Sequence, residues 1–113
     1  MKETIIPLEV WKEIIQYLDK NWGSVEIVGE HEDDYGSMVP EVDWTTFKYA
    51  AKDAIKKFSI TNKEAKDEIE EFKNDVEDAF YEDLLNYGWE DGESKTIDWD
   101  GYFNKWIDGT LFE

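Results

Sequence analysis

Six carboxylates recur along one stretch of the chain at intervals that only a helix turns into a row. Glu64, Glu68, Glu71, Asp75, Asp78 and Glu82 lie 4, 3, 4, 3 and 4 residues apart. Helical positions three and four apart share a face, and at about 1.5 Å rise per residue the row spans roughly 27 Å. Glu70 and Glu77, with Asp67 and Asp83, place more acids around the same helix. Neighbouring carboxylates then stand about 5–6 Å apart, and each like-charged i,i+4 pair destabilises the helix by a few tenths of a kcal/mol. The chemistry of such a row is recognition. A fixed line of negative charge is similar to a phosphate strand and complements a basic protein groove. A second acidic stretch, Glu30-His31-Glu32-Asp33-Asp34, adds Glu32, Asp33 and Asp34 as candidate partner contacts.

Bond-making chemistry has little to work with. Cysteine is absent, which removes disulfides, thiolate metal sites and a cysteine nucleophile. His31 is the sole histidine, and no serine or cysteine arrangement around it builds a triad. With 29 acids some carboxylate pairs are inevitable, so a pair alone does not indicate acid–base catalysis. Asp98-Trp99-Asp100-Gly101 begins somewhat like a calcium loop but lacks the third acid, and its glycine comes too early. The His31 stretch reads as an acidic loop rather than a metal site, and no glycine-rich phosphate cradle occurs. The chain therefore reads as a non-enzyme with no catalytic residues, no cofactor and no metal.

The elements that must hold these acids follow from apolar periodicity. Leu8, Trp11, Ile14, Ile15 and Leu18 predict a helix at about 7–21, with Pro7 in its first turn and Gly23 as its stop. Ser24–Glu30 is β-rich and partly alternating, a short strand with no identifiable partner, and 30–41 reads as a loop. Asp43 caps a second predicted helix faced by Trp44, Phe47, Ala51, Ala54, Ile55 and Phe58. Thr61 and Glu64 match a capping box for a third, at about 62–87, with Ala65, Ile69, Phe72, Val76, Ala79, Phe80 and Leu84 as its core stripe. Trp89 to Lys95 reads as a polar turn, and Asp98 as the cap of a final helix ending at Gly109. Val42-Asp43-Trp44 echoes Ile97-Asp98-Trp99, which reads as a shared cap-plus-aromatic helix start. The expected fold is one domain over 1–113, mainly α, of about four helices with one short strand or hairpin, α+β being the alternative.

Charge narrows the partner. Residues 1–43 carry a net charge of −8, residues 44–63 a net +4, and residues 64–113 a net −13, for −17 in all. All 12 basic residues are lysine. Arginine is the usual reader of phosphates and guanine edges, so its absence argues against direct nucleic-acid binding. The negative field repels nucleic acid and anionic membrane and attracts basic surfaces. Lys48, Lys52 and Lys56 form an i,i+4,i+8 row that offers an internal partner for the acidic helix, the alternative to an external one. Six Trp, six Tyr and six Phe argue for a packed domain rather than a disordered acidic tail. Tyr35, Tyr81, Tyr87 and Trp89 lie beside acids and read either as surface anchors or as partly buried core edges. No apolar run approaches a membrane span and no signal-peptide pattern opens the chain, so the expected location is the cytoplasm.

Thr96-Ile97-Asp98-Trp99-Asp100-Gly101-Tyr102, followed by Gly109-Thr110-Leu111-Phe112, resembles the closing motif of ArdA-type antirestriction proteins. Asn104-Lys105 stands where that family usually has Arg-Asp. The resemblance implies an acidic DNA mimic of a phage or mobile element that blocks restriction enzymes. The expected function is inhibition of a bacterial defence nuclease, a restriction or CRISPR enzyme, by occupying its DNA groove, as a monomer or homodimer. The alternatives are an immunity or antitoxin protein against one basic toxin nuclease, and an acidic adaptor that inhibits nothing.

Overall fold

Residues 2–112 are described by a computed structural model. The elements run α1 (Leu8–Asn21), β1 (Ser24–Glu32), β2 (Met38–Val42), α2 (Thr45–Lys57), α3 (Lys63–Tyr87), β3 (Ser94–Thr96) and α4 (Trp99–Asp108). The expectation of a mainly α fold is corrected: the architecture is α+β, with four helices and an antiparallel sheet ordered β2-β1-β3. Two strands had no legible signal. β2 contains Pro40 and Glu41, both weak strand formers, yet it lies at the sheet edge, where proline is tolerated. β3 has only three residues, too few to show an alternation. The segment expected to be a loop at 30–41 is mostly a hairpin, pairing Ile27 with Val42 and Glu32 with Met38 across a bulge at Val28. The polar turn expected at 89–95 overlaps β3, which pairs with Ser24–Glu26 of β1.

The helices follow the apolar stripes. Trp11, Ile14, Ile15 and Leu18 bury one face of α1, and Pro7 starts it by accepting from the amides of Val10 and Trp11. α3 begins at Asn62, whose side chain accepts from the Ala65 amide at 3.0 Å, in place of the Thr61–Glu64 capping box. Asp43, expected to cap α2, lies one residue before the N-cap position, which Trp44 occupies, and accepts from the Thr45 amide and hydroxyl at 3.1 and 2.6 Å. Asp98 does cap α4, accepting from the Gly101 amide at 3.0 Å. A side chain on Gly101 would collide with that carboxylate, so the cap requires glycine there. α4 ends at Gly109 in the left-handed conformation, with φ 77°, which glycine adopts without strain.

The core is built around aromatic rings in edge-on and tilted contact. Trp11, Phe47, Phe72 and Trp99 are fully buried. The Phe72 ring lies 5.2 Å from Trp11, 5.6 Å from Phe103 and 5.1 Å from Trp106, tying α3 to both α1 and α4. Such pairs each contribute about 0.5–1.5 kcal/mol beyond area burial. This packing fixes the rotation of α3 and thereby decides which of its acids face water. Among the described residues no helix is long and apolar enough to cross a membrane.

Candidate interaction surface

The six-carboxylate row of α3 divides lengthwise. Glu68 and Asp75 lie on the edge nearest the apolar stripe. Glu68 is only 8% exposed. Its carboxylate accepts from the amides of Ile5 and Ile6 at 2.6 and 3.1 Å and from the Trp11 indole at 2.9 Å. Asp75 accepts from the Trp106 indole at 2.9 Å. Glu64, Glu71, Asp78 and Glu82 lie on the outer edge and are exposed. The row is therefore two functional sets that share one sequence rhythm: Glu68 and Asp75 anchor the fold, and the other four face solvent.

The same internal use of acids recurs elsewhere. Asp83 accepts from the Tyr102 hydroxyl at 2.6 Å, and burial together with that bond pushes the phenol's pKa up. Asp53 accepts from the Tyr17 hydroxyl at 2.5 Å and the Trp22 indole at 2.9 Å. These bonds, Tyr17 foremost, hold the Asp53 carboxyl below its ordinary range. Sequence reasoning missed this pattern because the donors are far away in the chain. The available signal was the surplus of indoles and phenols, since a buried Trp or Tyr usually needs an acceptor.

The lysine row of α2 does not neutralise α3. Among the described residues no ion pair joins Lys48, Lys52 or Lys56 to an α3 carboxylate. The pairs that do form are Lys2 with Glu71 at 3.5 Å, Lys63 with Asp67 at 2.8 Å and Lys73 with Glu70 at 3.9 Å. The first two are exposed and contribute about 0–1 kcal/mol each, and the third is long at 3.9 Å. Nor does α3 carry a basic residue in its last turn, where one would favour the helix dipole. The outer acids thus stand largely uncompensated.

The hairpin acids have separate roles. Asp33 shapes the loop: its side chain accepts from the Tyr35 and Ser37 amides, both at 2.9 Å. Glu32 and Asp34 are exposed. His31 Nδ1 lies 2.8 Å from Glu41 Oε1 across the β1–β2 pair. Of the four aromatics beside acids, Tyr35 and Tyr87 are 93% and 86% exposed, whereas Tyr81 and Trp89 pack against the core.

Where the hairpin meets α3 there is an open cleft of about 340 Å³, walled by Trp44 and Tyr81 and edged by His31, Glu41, Glu77 and Asp78. Glu77 is half-buried there, and burial pushes its carboxyl above the ordinary range. Nothing in the sequence pattern announces this cleft, because Glu41 and Trp44 join α3 only once β2 is recognised as a strand. Among the described residues no group of three or more His, Asp or Glu side chains is placed to hold a metal ion. No known protein family, curated protein or solved structure matches the chain. The exposed acids of the row and of the hairpin lie on two elements, α3 and the β1–β2 hairpin.

Proposed function

We propose that this chain is a non-catalytic inhibitor that presents DNA-like charge to the basic groove of a bacterial defence nuclease, a restriction or CRISPR enzyme, and excludes DNA by competition. The observation that carries the reading is the outer edge of α3. Glu64, Glu71, Asp78 and Glu82 remain exposed and are not paired with the α2 lysines. With Glu32 and Asp34 on the hairpin they present negative charge from two elements within a body of 43 × 27 × 21 Å. A folded surface of this kind associates quickly with basic grooves and weakens as salt screens it.

The likeness to ArdA-type proteins falls on residues that build the fold. Its residues Ile97 and Trp99 are fully buried and Asp98 is a helix cap. Those positions build the start of α4, so the likeness bears on local folding while the charge bears on the partner.

The test is DNA displacement from a panel of unrelated basic nucleases, with wild type beside a Glu71→Lys, Asp78→Lys, Glu82→Lys variant. Wild type should displace DNA from more than one enzyme, with affinity falling at least about tenfold between roughly 50 and 200 mM salt. The variant should fold and lose displacement. Full displacement by a folded triple variant would sink the mimicry reading.

The strongly exposed Tyr35 and Tyr87 favour a second reading, an immunity protein with aromatic anchors for one toxin nuclease. Displacement confined to a single enzyme, and abolished by Tyr35→Ala, would select it.

A further inference from the structure

We infer that the cleft between β2 and α3 is an arginine-docking site, which receives one guanidinium side chain from the basic partner protein. The inference rests on the reading of a basic partner and adds the residue by which that partner is gripped. The cleft, at about 340 Å³, is roomy enough for a guanidinium and part of its stem. One wall is aromatic: the Trp44 and Tyr81 rings pack on each other, centroids 5.8 Å apart and tilted by 59°. Its rim carries carboxylates from two elements, Glu41 on β2, which also meets His31 Nδ1 at 2.8 Å, and the consecutive Glu77 and Asp78 on α3. A planar cation that can stack on a ring and bond carboxylates in two directions is the matching ligand. An ammonium, compact and strongly hydrated, uses the carboxylates but gains less from the rings.

Two contrasts within the molecule favour this occupant. Trp11, Trp22 and Trp106 each donate to an internal carboxylate, and Trp99 donates to a backbone carbonyl. Trp44 and Trp89 make no such bond among the described residues, and of these two it is Trp44 whose ring lines the cleft. Glu77 likewise has no hydrogen-bond donor among the described residues, although it is half-buried; burial pushes its carboxyl up, and the charge of Lys73 offsets that only in part. A cation in the cleft would offset that burial. The chain contains no arginine, so neither its own side chains nor a second copy can supply the guanidinium.

The experiment titrates the full-length ¹⁵N-labelled chain with N-acetyl-arginine amide, and separately with N-acetyl-lysine amide, at roughly 150 mM salt to screen diffuse attraction. The expected result is a saturable shift centred on the Trp44 indole and Tyr81, with lysine binding at least about fivefold more weakly. Glu77→Gln keeps the size of the side chain and removes its charge. It should preserve the spectrum of the fold and weaken arginine binding at least about fivefold. Equal shifts with both probes, shifts spread along Glu64, Glu71 and Glu82, or no saturable shift would each overturn the inference. DNA displacement plays no part in this measurement. A cleft that ignores arginine in a protein that still displaces DNA removes the docking site alone. A protein that displaces no DNA loses the inhibitor reading whatever its cleft does.

Discussion

The two edges of α3 carry the same residue types in the same rhythm and do opposite work. On the inner edge Glu68 and Asp75 are drawn to indoles of α1 and α4 and are spent on the fold. On the outer edge Glu64, Glu71, Asp78 and Glu82 face solvent, with Glu71 meeting Lys2 at 3.5 Å. A rotation of a few tens of degrees around the helix separates the sets. The comparison teaches that net charge is not binding charge. Some of the acidity holds the aromatic core in register, and only the remainder meets the outside.

The sharpest way to break the comparison is to empty the inner edge. Glu68→Ala strands two amides and one indole, so stability should fall by about 3–5 kcal/mol. For a domain near 100 residues that lowers Tm by at least about 12 °C. A fall below about 1 kcal/mol in chemical denaturation would show that the inner acids are not structural. Next in size is the matched pair Asp75→Ala and Asp78→Ala. The first should cost about 1–2 kcal/mol and couple to Trp106→Phe in a double-mutant cycle. The second should change stability by less than about 0.5 kcal/mol and reduce partner binding. Equal costs would erase the distinction between the edges. Smaller again is Gly101→Ala, expected to cost about 1 kcal/mol because the added carbon displaces the Asp98 cap.

How far these roles were legible depended on distance along the chain. All four helices were visible because their determinants are local: the stripe of Trp11, Ile14 and Leu18, or the cap and aromatic of Asp98 and Trp99. Even so, the sequence placed the start of α3 on Thr61 and Glu64, where Asn62 does the capping. The sheet was hidden because β2 pairs a proline-bearing edge to β1, and β3 is too short to carry a pattern. The exposed acids could be inferred from their rhythm. Glu68 could not be separated from them, because its three donors lie about 60 residues away. The cleft was invisible for the same reason, being assembled from a strand edge, a helix start and the middle of α3.

The finest discrimination comes from acid titration of stability, where two half-exposed carboxylates should behave oppositely. Asp53 has its folded-state pKa lowered from 3.8, chiefly by the Tyr17 hydroxyl and then by Trp22. Its contribution to stability is fully present above 3.8 and is lost as pH falls through the lowered value. Glu77 has its pKa raised from 4.5, chiefly by burial. Its ionised form opposes folding, so the penalty is absent well below 4.5 and is complete above the raised value. Wild type should therefore exceed Asp53→Asn in stability at neutral pH and converge with it in strong acid. Wild type should trail Glu77→Gln at neutral pH and converge with it in acid. Comparing each variant with wild type at the same pH cancels most of the general relief of repulsion that acid brings to so negative a chain. Curves of the same sign would mean that Lys73, whose charge already pulls the Glu77 carboxyl down, outweighs its burial. The cleft would then be closed to an arginine from outside, and the outer edge of α3 would have to hold the partner alone.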